Sequence, residues 1–446
     1  MNTKRTLFTA FVLLGLSALI LSGCQGAAEP EVLKETVVVQ ETVVVAEEVE
    51  KVVTPTAAPE GPVTITFWHG FNELETETLN DQVIPAFEEA YPNIKVEALN
   101  VPYDQFRRKL LTSIAGGTAP DLIRSDIIWV PEFAYMGALA PLDEVMPDFQ
   151  DYADAVFPGP LSTNELNGHY YGLPLDTNTR VLVYNKDMFA EAGIDGPPET
   201  MDDFLAACEK IKALGEDKYC FADGGTYAWA VNPWIWSFGG AVTDEAKTAA
   251  TGYLTSEETK EAYAFLKNLV DEGYMHPGIL GGGVDTWGGF GNNEIAMILE
   301  GPWFPPFYGG EAEYGFALMP AGAGGSVSVV GGEDIVMFQQ SQHKEAAAEF
   351  IRFMLSEETQ LTLAEVGQMP VLADLMDTDE MQNHEFFGIF LEQLQNARAR
   401  TPHPNWNKIE ETYNLAGGVY LRGEQDFETA FGEAAEVIDG LLVLEE

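Results

Sequence analysis

The segment 114–143 constrains the fold of this chain most, because glycines and a proline divide it into short apolar runs. The glycines at 116–117 end a predicted amphipathic helix, and Pro120 prevents its continuation. Residues 122–124, Leu-Ile-Arg, predict a short buried strand whose carboxyl end is followed by Ser125 and Asp126. Because open α/β sheets bind ligands at such strand ends, the segment predicts an α/β fold with a ligand cleft near Asp126.

Strand and helix patterns alternate along two successive regions of the chain. Residues 63–98 contain two strand patterns with a helix pattern of period near 3.6 between them. In the second region, Thr200 with Asp203 and Thr255 with Glu258 predict capping boxes at the starts of two helices. A chain of 446 residues is too long for one compact core. We therefore expect two α/β lobes built on mostly parallel sheets covered by helices.

The amino terminus has the pattern of an export signal. Lys4 and Arg5 precede an apolar run at 7–21, which is shorter than a comfortable membrane span. The run ends in Leu-Ser-Gly-Cys, which resembles a bacterial lipobox and implies that Cys24 carries lipid. An uncleaved anchor helix is the alternative, and either outcome places the rest of the chain outside the cytoplasm. Residues 25–62 are rich in Glu, Val, Thr and Pro, which predicts an extended tether.

The net charge of the chain and its lack of common catalytic motifs exclude several classes of function. Asp and Glu total 71 against 23 Lys and Arg, so nucleic acid and anionic membrane surfaces are poor partners. The excess of acidic residues is consistent with two roles: keeping the protein soluble, or adapting it to high salt. GxSxG, HExxH and GxxxxGK[ST] motifs are missing, and the six histidines are not clustered. We therefore expect no enzyme, no cofactor and no metal, although counting carboxylates alone does not dismiss a glycosidase pair.

The sequence does not decide whether the two remaining cysteines form a disulfide or stay as free thiols. Export permits a disulfide between Cys208 and Cys220. Cys208 also shares a predicted helical face with Phe204 and Ile211, as a buried thiol would. Both possibilities stand on the sequence alone.

An ordered set of segments resembles the family 1 extracellular solute-binding proteins, the receptors of bacterial ABC sugar importers, of the maltose and trehalose type. The segments are the GGxxPD-strand-D-xx-W order within 114–143, YGLPLD at 171–176, WSFGG at 236–240, EIAMILEGPW at 294–303 and VGGED at 330–334. The resemblance covers about residues 63–442. It implies a two-lobed α/β fold of the type II periplasmic-binding-protein class, with discontinuous lobes and a hinge near Leu175 and Phe316.

The domain boundaries follow from this resemblance. They are a signal peptide at 1–23, a lipidated tether at 24–62, a first lobe at 63–175 with 316–368, and a second lobe at 176–315 with 369–446.

A sugar presents hydroxyls around its rim and C–H patches on its faces, so a receptor needs aromatic platforms and planar hydrogen-bonding groups. Gly301 and Pro302 turn the chain just before Trp303, and similar family members stack their ligand on that tryptophan. Asp126 and Asp176 match acidic family positions that accept hydrogen bonds from sugar hydroxyls. Helix capping is the alternative role for each aspartate.

The remaining candidates lie at the ends of predicted elements. They are Trp68, Asn72, Glu73, Trp236, Gly331, Gly332, Glu333 and Arg400. Core packing is the alternative for the tryptophans, a strand bulge for the glycine pair and a solvated surface position for the arginine.

These observations predict a monomeric receptor, anchored by lipid to the outer face of the cell membrane. It would capture a neutral mono- or oligosaccharide between its lobes and deliver it to an ABC permease. A receptor for glycerol phosphate or another polyol ester is the first alternative, although few Lys and Arg residues lie near the cleft segments. An exported carbohydrate-active enzyme is the second.

Overall fold

The computed structural model describes residues 62–384 and 386–444. The predicted signal peptide at 1–23, the lipid on Cys24 and the tether as far as residue 61 lie outside the described residues.

The strands of the described chain form two main sheets and a short hairpin. They are β1 (Val63–His69), β2 (Ile94–Asn100), β3 (Leu122–Asp126), β4 (Glu165–Leu166), β5 (His169–Tyr170), β6 (Gly172–Thr179), β7 (Val181–Asn185), β8 (Tyr219–Ala222), β9 (Ile295–Glu300), β10 (Tyr314–Ala317), β11 (Ser328–Met337) and β12 (Ala397–Ala399). The first sheet has the order β12-β11-β3-β1-β2, and β6 also pairs with β11. The second has the order β10-β7-β9-β8, and β4 pairs with β5.

Helices cover these sheets. They are α1 (Glu73–Thr78), α2 (Ile84–Ala90), α3 (Tyr103–Gly116), α4 (Val130–Tyr135), α5 (Leu142–Val145), α6 (Phe149–Ala155), α7 (Pro158–Leu161), α8 (Lys186–Glu191), α9 (Met201–Lys212), α10 (Ala228–Ser237), α11 (Glu257–Asp271), α12 (Thr286–Gly291), α13 (Phe304–Phe307), α14 (Lys344–Met354), α15 (Glu357–Ala364), α16 (Ala373–Met376), α17 (Asp379–Gln382), α18 (Phe387–Leu394), α19 (Trp406–Leu421) and α20 (Phe427–Leu442). A π-helical turn at Leu79–Val83 and 3-10 turns at Ser162–Asn164 and Pro277–Leu280 complete the set. None of these described helices has both the length and the apolarity to cross a membrane.

Strand β3 is the predicted buried strand, and every one of its residues is buried. It runs parallel to β1, which runs parallel to β2, as the sequence predicts. β11 then enters from a distant part of the chain, antiparallel to both β3 and β6. This pairing sets Glu333 directly beside Asp126 and brings two sequence-distant carboxylates to one edge of the cleft.

The second sheet differs from the expected parallel arrangement. β7 pairs antiparallel with both β9 and β10, and β8 alone runs parallel to β9. β6 ends at Thr179 in the first sheet and β7 begins at Val181 in the second, so the chain enters the second sheet directly and not through the helical crossover that joins parallel neighbours. Arg180 therefore lies where the chain passes between the lobes. The domain boundaries drawn from the sequence remain predictions.

Local capping was predicted correctly at one helix and wrongly at another. Thr200 and Asp203 form a capping box at the start of α9. α11 is capped by Ser256, which accepts the N–H of Thr259, while the Thr255 hydroxyl accepts the N–H of Gly252 in the preceding turn. Adjacent hydroxyl residues make the exact cap ambiguous in sequence.

A disulfide joins Cys208 on α9 to Cys220 on β8. Both residues are fully buried, so the helical position that favours a buried thiol also accommodates the bridge. The structure thereby answers the question that the sequence leaves open.

A buried acid lies where the pairing of β11 with β6 shifts register, between Glu333 and Asp334. Asp334 is fully buried, and its carboxylate accepts hydrogen bonds from Asn164 Nδ2 at 2.8 Å and from the Thr163 hydroxyl at 3.4 Å. Burial raises the pKa of Asp334 well above its ordinary value.

This pKa predicts a pH-dependent gain in stability for Asp334→Asn. Above the ordinary pKa of aspartate the unfolded chain ionises first, so the wild type loses stability as pH rises toward the folded-state value. We expect the substitution to raise the free energy of unfolding at about pH 8 and to change it little at about pH 4, measured by urea titration.

Asp439→Asn provides a control of opposite sign. Burial raises the pKa of Asp439, but hydrogen bonds from Thr251 and from the backbone N–H of Ala250 outweigh burial and leave it lowered. Asp439→Asn should therefore destabilise the protein at about pH 8 and less at about pH 4. An equal effect of Asp334→Asn at both pH values would contradict the account of Asp334.

Candidate functional site

A cavity of about 710 Å³ opens between elements of the two sheets. Its walls come from α3, the carboxyl end of β3, β6, the start of α10, the turn before α13, β11 and α19. The lining residues are Tyr103, Asp104, Arg107, Arg108, Asp126, Ile128, Trp129, Asn178, Tyr227, Trp229, Trp303, Gly331, Gly332, Glu333, Arg400, Asn407, Glu410, Glu411 and Asn414.

Two indoles form a platform in this cavity. The rings of Trp229 and Trp303 are stacked, with centroids 6.3 Å apart and planes 29° apart. Glycines make room for both. A Cβ at Gly301 would lie 2.3 Å from the Trp303 ring, and a Cβ at Gly331 would lie 2.6 Å from the Trp229 ring and 2.2 Å from Asn178 Oδ1. The glycines of the GPW and VGGED motifs therefore allow backbone and aromatic rings to approach closely.

Asp126 is the polar centre of the cavity. One carboxylate oxygen accepts the Ile128 N–H at 3.0 Å and the Arg400 guanidinium at 3.2 Å, and the other accepts the Tyr103 hydroxyl at 2.5 Å. Asp126 and Arg400 are 6% and 7% exposed, so the ion pair is largely withdrawn from water. Asp126 thus holds a local turn without capping a helix, because α4 begins after Trp129 and has no side-chain cap, and it also faces the cavity.

Arg400 also borders the aromatic platform. Its guanidinium carbon lies 5.3 Å from the Trp229 ring centroid, within reach of a cation–π interaction. Among the described residues, neither Arg400 Nε nor Asn178 Oδ1 has a hydrogen-bond partner, and both atoms are buried. A buried donor and a buried acceptor are costly without partners. A hydroxyl can satisfy both kinds of atom, because it donates and accepts.

A second arginine, Arg124, neutralises two carboxylates at the cavity floor, of which Glu333 lines the cavity and Asp176 lies below it. Arg124 on β3 forms ion pairs with Asp176 at 2.9 Å and with Glu333 at 2.6 Å, and donates to Gln368 at 2.9 Å. Burial raises the pKa of Glu333 well above its ordinary value, although Arg124 opposes the shift. The floor is therefore a dry charge network and not a solvated acidic surface.

The structure brings some of the predicted site residues together and leaves others apart. Asp126, Trp303, Gly331, Gly332, Glu333 and Arg400 line the cavity. The other candidates have different surroundings in the described structure. Asp176 is bound to Arg124 below the floor, and Asn72 caps α1, where Glu73 occupies the first turn. The Lys109 ammonium covers Trp68 at 4.4 Å, and Trp236 is buried in the core at the end of α10.

Several lining residues were not predicted from the sequence. Trp229 was overlooked among neighbouring tryptophans, and Asn178 lies two positions beyond Asp176 on β6. α19 contributes a polar stripe of Asn407, Glu410, Glu411 and Asn414. The spacing of these four residues at positions i, i+3, i+4 and i+7, which puts them on one face of the helix, is the signal that identifies the stripe.

The cavity rim is bridged by polar contacts between α3, α4 and α19. Arg107 donates to both carboxylate oxygens of Glu132, at 2.9 and 2.5 Å, and Asn407 Nδ2 donates to Glu132 at 2.9 Å. Glu410 accepts the Ala228 N–H at 2.8 Å, and burial raises its pKa against the opposing charge of Arg400. Within residues 62–384 and 386–444, no group of three or more His, Cys, Asp or Glu is placed to hold a metal ion.

Removing Arg400 should destabilise the protein, because Asp126 would then be buried without a cationic partner. We expect Arg400→Ala to lower the free energy of unfolding by roughly 3 kcal/mol in urea titrations. Adding Asp126→Asn should recover part of the loss, since a neutral amide needs no counter-charge. Arg422→Ala is the matched control, because Arg422 pairs with Glu424 on the surface, and it should have almost no effect. Equal losses for the two arginines would contradict the role of the buried pair.

Known proteins share both the sequence and the fold of this chain. The model of the bacterial extracellular solute-binding protein family matches residues 72–361. A binding protein of Brucella abortus is 30% identical over 377 residues, which cover 81% of this chain and 89% of that protein. The maltotriose-binding protein of Pyrococcus abyssi is 26% identical over 366 residues, which cover 78% of this chain and 75% of that protein.

A solved receptor has the same two-lobed architecture. The GacH receptor of Streptomyces glaucescens, determined unliganded and in complex with acarbose, aligns with a TM-score of 0.77 at 25% identity. The alignment covers 86% of this chain and 99% of that receptor. The type II periplasmic-binding-protein fold predicted from the sequence is thereby confirmed. This chain belongs to the bacterial extracellular solute-binding protein family, among its family 1 sugar-binding members.

Proposed function

We propose that this protein captures a neutral carbohydrate in the cavity between its lobes, without altering it, and delivers it to an ABC import permease. The observation that carries the proposal is the Trp229–Trp303 platform beside two buried, unpartnered polar atoms, Asn178 Oδ1 and Arg400 Nε. Indole faces suit the C–H patches of a sugar ring, and the polar atoms suit its hydroxyls.

The dimensions of the cavity favour an oligosaccharide. A volume of about 710 Å³ is in the range of pockets that enclose drug-sized ligands, which are larger than one sugar ring. Tyr103 and Trp129 form a second stacked pair, with centroids 5.3 Å apart, and both residues line the cavity. Two aromatic surfaces support a ligand of two or more rings.

The charges of the lining favour a neutral ligand over a phosphate ester. Arg400 is engaged by Asp126, and Arg107 by Glu132. The three lining guanidinium groups stand beside five lining carboxyl groups, so the wall offers a phosphate no excess of positive charge. Two features favour the glycerol phosphate alternative: Arg108, which lines the cavity without an ion pair to any described residue, and the unpartnered Arg400 Nε. Arg108 is exposed to solvent, which weakens its ion pairs, and Arg400 Nε is a single donor, which is less than the fork that phosphate prefers.

The export and anchoring parts of the proposal rest on the amino-terminal sequence. The lipobox-like motif before Cys24 and the tether at 25–62 support attachment to the outer face of the cell membrane. We expect Cys24→Ala to abolish incorporation of labelled fatty acid and to shift the protein from the membrane fraction. Cys208→Ala is the control, because the sulfur of Cys208 lies in the disulfide, and this substitution should leave fatty-acid labelling intact. Labelling that persists in Cys24→Ala would contradict the anchor.

Isothermal calorimetry with a ligand panel tests the binding proposal. We expect maltotriose, maltose or cellobiose to bind with an affinity near the micromolar range, about −8 kcal/mol, and glycerol phosphate to neither bind nor compete. Trp303→Ala should weaken binding by about tenfold or more, because it removes a stacking surface. Trp68→Phe is the matched control and should leave the affinity unchanged. Competition by glycerol phosphate with no carbohydrate binding would reverse the assignment.

A further inference from the structure

Glu300 binds two indoles, of which one, Trp303, lines the proposed ligand cavity. It is the last residue of β9, and its carboxylate accepts the Trp287 indole N–H at 2.7 Å and the Trp303 indole N–H at 3.1 Å. The part of the cavity wall that the described residues form does not include Glu300. It can therefore influence a ligand only through the tryptophans that it binds.

The surroundings of this carboxylate are buried and charged. Burial raises the pKa of Glu300, while Arg180 and the two indole hydrogen bonds oppose the shift, and Asp223 adds to it. Arg180 forms an ion pair with Asp223 at 2.9 Å and also donates to the backbone carbonyl of Trp229 at 2.8 Å. The crossover residue Arg180 thus fixes the backbone of one platform tryptophan, and Glu300 fixes the ring of the other.

The indole of Trp303 depends on this hydrogen bond for its orientation. Trp303 is partly buried and lies just before the four-residue helix α13, so little regular structure restrains its side chain. Because glycine has no side chain, Gly301 leaves room for the Trp303 ring to lie over the backbone. A hydrogen bond between an indole N–H and a buried carboxylate is directional and strong enough to select one ring orientation.

We propose that Glu300 is a positioning residue for ligand binding, which sets the plane of the Trp303 platform through the indole N–H. This inference rests on the proposed carbohydrate function. Trp287 offers an internal comparison, because it shares the same carboxylate but lines a separate cavity of about 320 Å³ with Tyr308 and Asn292.

A double-mutant cycle with maltotriose as the probe tests the proposal. Glu300→Ala should weaken maltotriose binding by about tenfold in the wild-type and Trp287→Phe backgrounds. In the Trp303→Phe background, which lacks the indole N–H, the same substitution should weaken binding by less than about twofold. Equal losses in all three backgrounds, or no loss in the wild type, would overturn the proposal. Glu300→Leu, which keeps a side chain of similar length but cannot accept the indole N–H, replaces Glu300→Ala in the same cycle if the alanine variant does not fold.

A ligand-free readout separates this inference from the binding proposal. The Trp303 indole N–H resonance in a ¹H–¹⁵N spectrum, identified by its loss in Trp303→Phe, should shift in Glu300→Gln, while the resonance of the buried Trp236 should not. If no sugar binds the wild type, the proposed function fails, yet this shift still supports the positioning role. An unchanged Trp303 resonance would overturn the positioning role whatever the sugar titrations give.

Discussion

The ion pairs of Arg124 and Arg400 make a buried polar cleft physically possible in this protein. Charges withdrawn from water are costly unless each finds a partner with good geometry. Arg124 neutralises Asp176 below the floor and Glu333 in the cavity wall, and Arg400 neutralises Asp126 at the surface of the cavity. Because these acids come from β3, β6 and β11, the same contacts that satisfy the charges also fix the hydrogen-bonding groups in place before a ligand arrives.

The aromatic platform depends on the connection between the lobes. Trp229 begins α10 and contacts both Arg180 at the crossover and Arg400 at the floor, while Trp303 follows β9 of the second sheet. The rim bridge from Arg107 through Glu132 to Asn407 joins α3 and α4, beside the first sheet, to α19. A ligand in the cavity would therefore touch groups from both lobes at once. Hinge closure around a ligand, which is typical of this fold, would then follow from ligand contacts on both sides.

Local sequence patterns predicted the elements better than their assembly. The apolar run of β3 and the Thr200 capping box needed only neighbouring residues, and both were confirmed. The antiparallel entry of β11 depends on residues two hundred positions away, so no local pattern could place Asp176 below the floor and Glu333 above it. Trp229 and Trp236 lie seven positions apart on one helix, where periodicity assigns them the same face. Only the position of α10 in the fold puts the first in the cavity and the second in the core.

A crystal structure of the protein with maltotriose tests the central claim most directly. The account predicts one sugar ring stacked within about 4 Å of the Trp303 indole, with hydroxyls bound to Asn178 Oδ1, Arg400 Nε and Asp126. Electron density for the sugar outside this cavity, or a sugar that leaves Asn178 and Arg400 unpartnered, would contradict it.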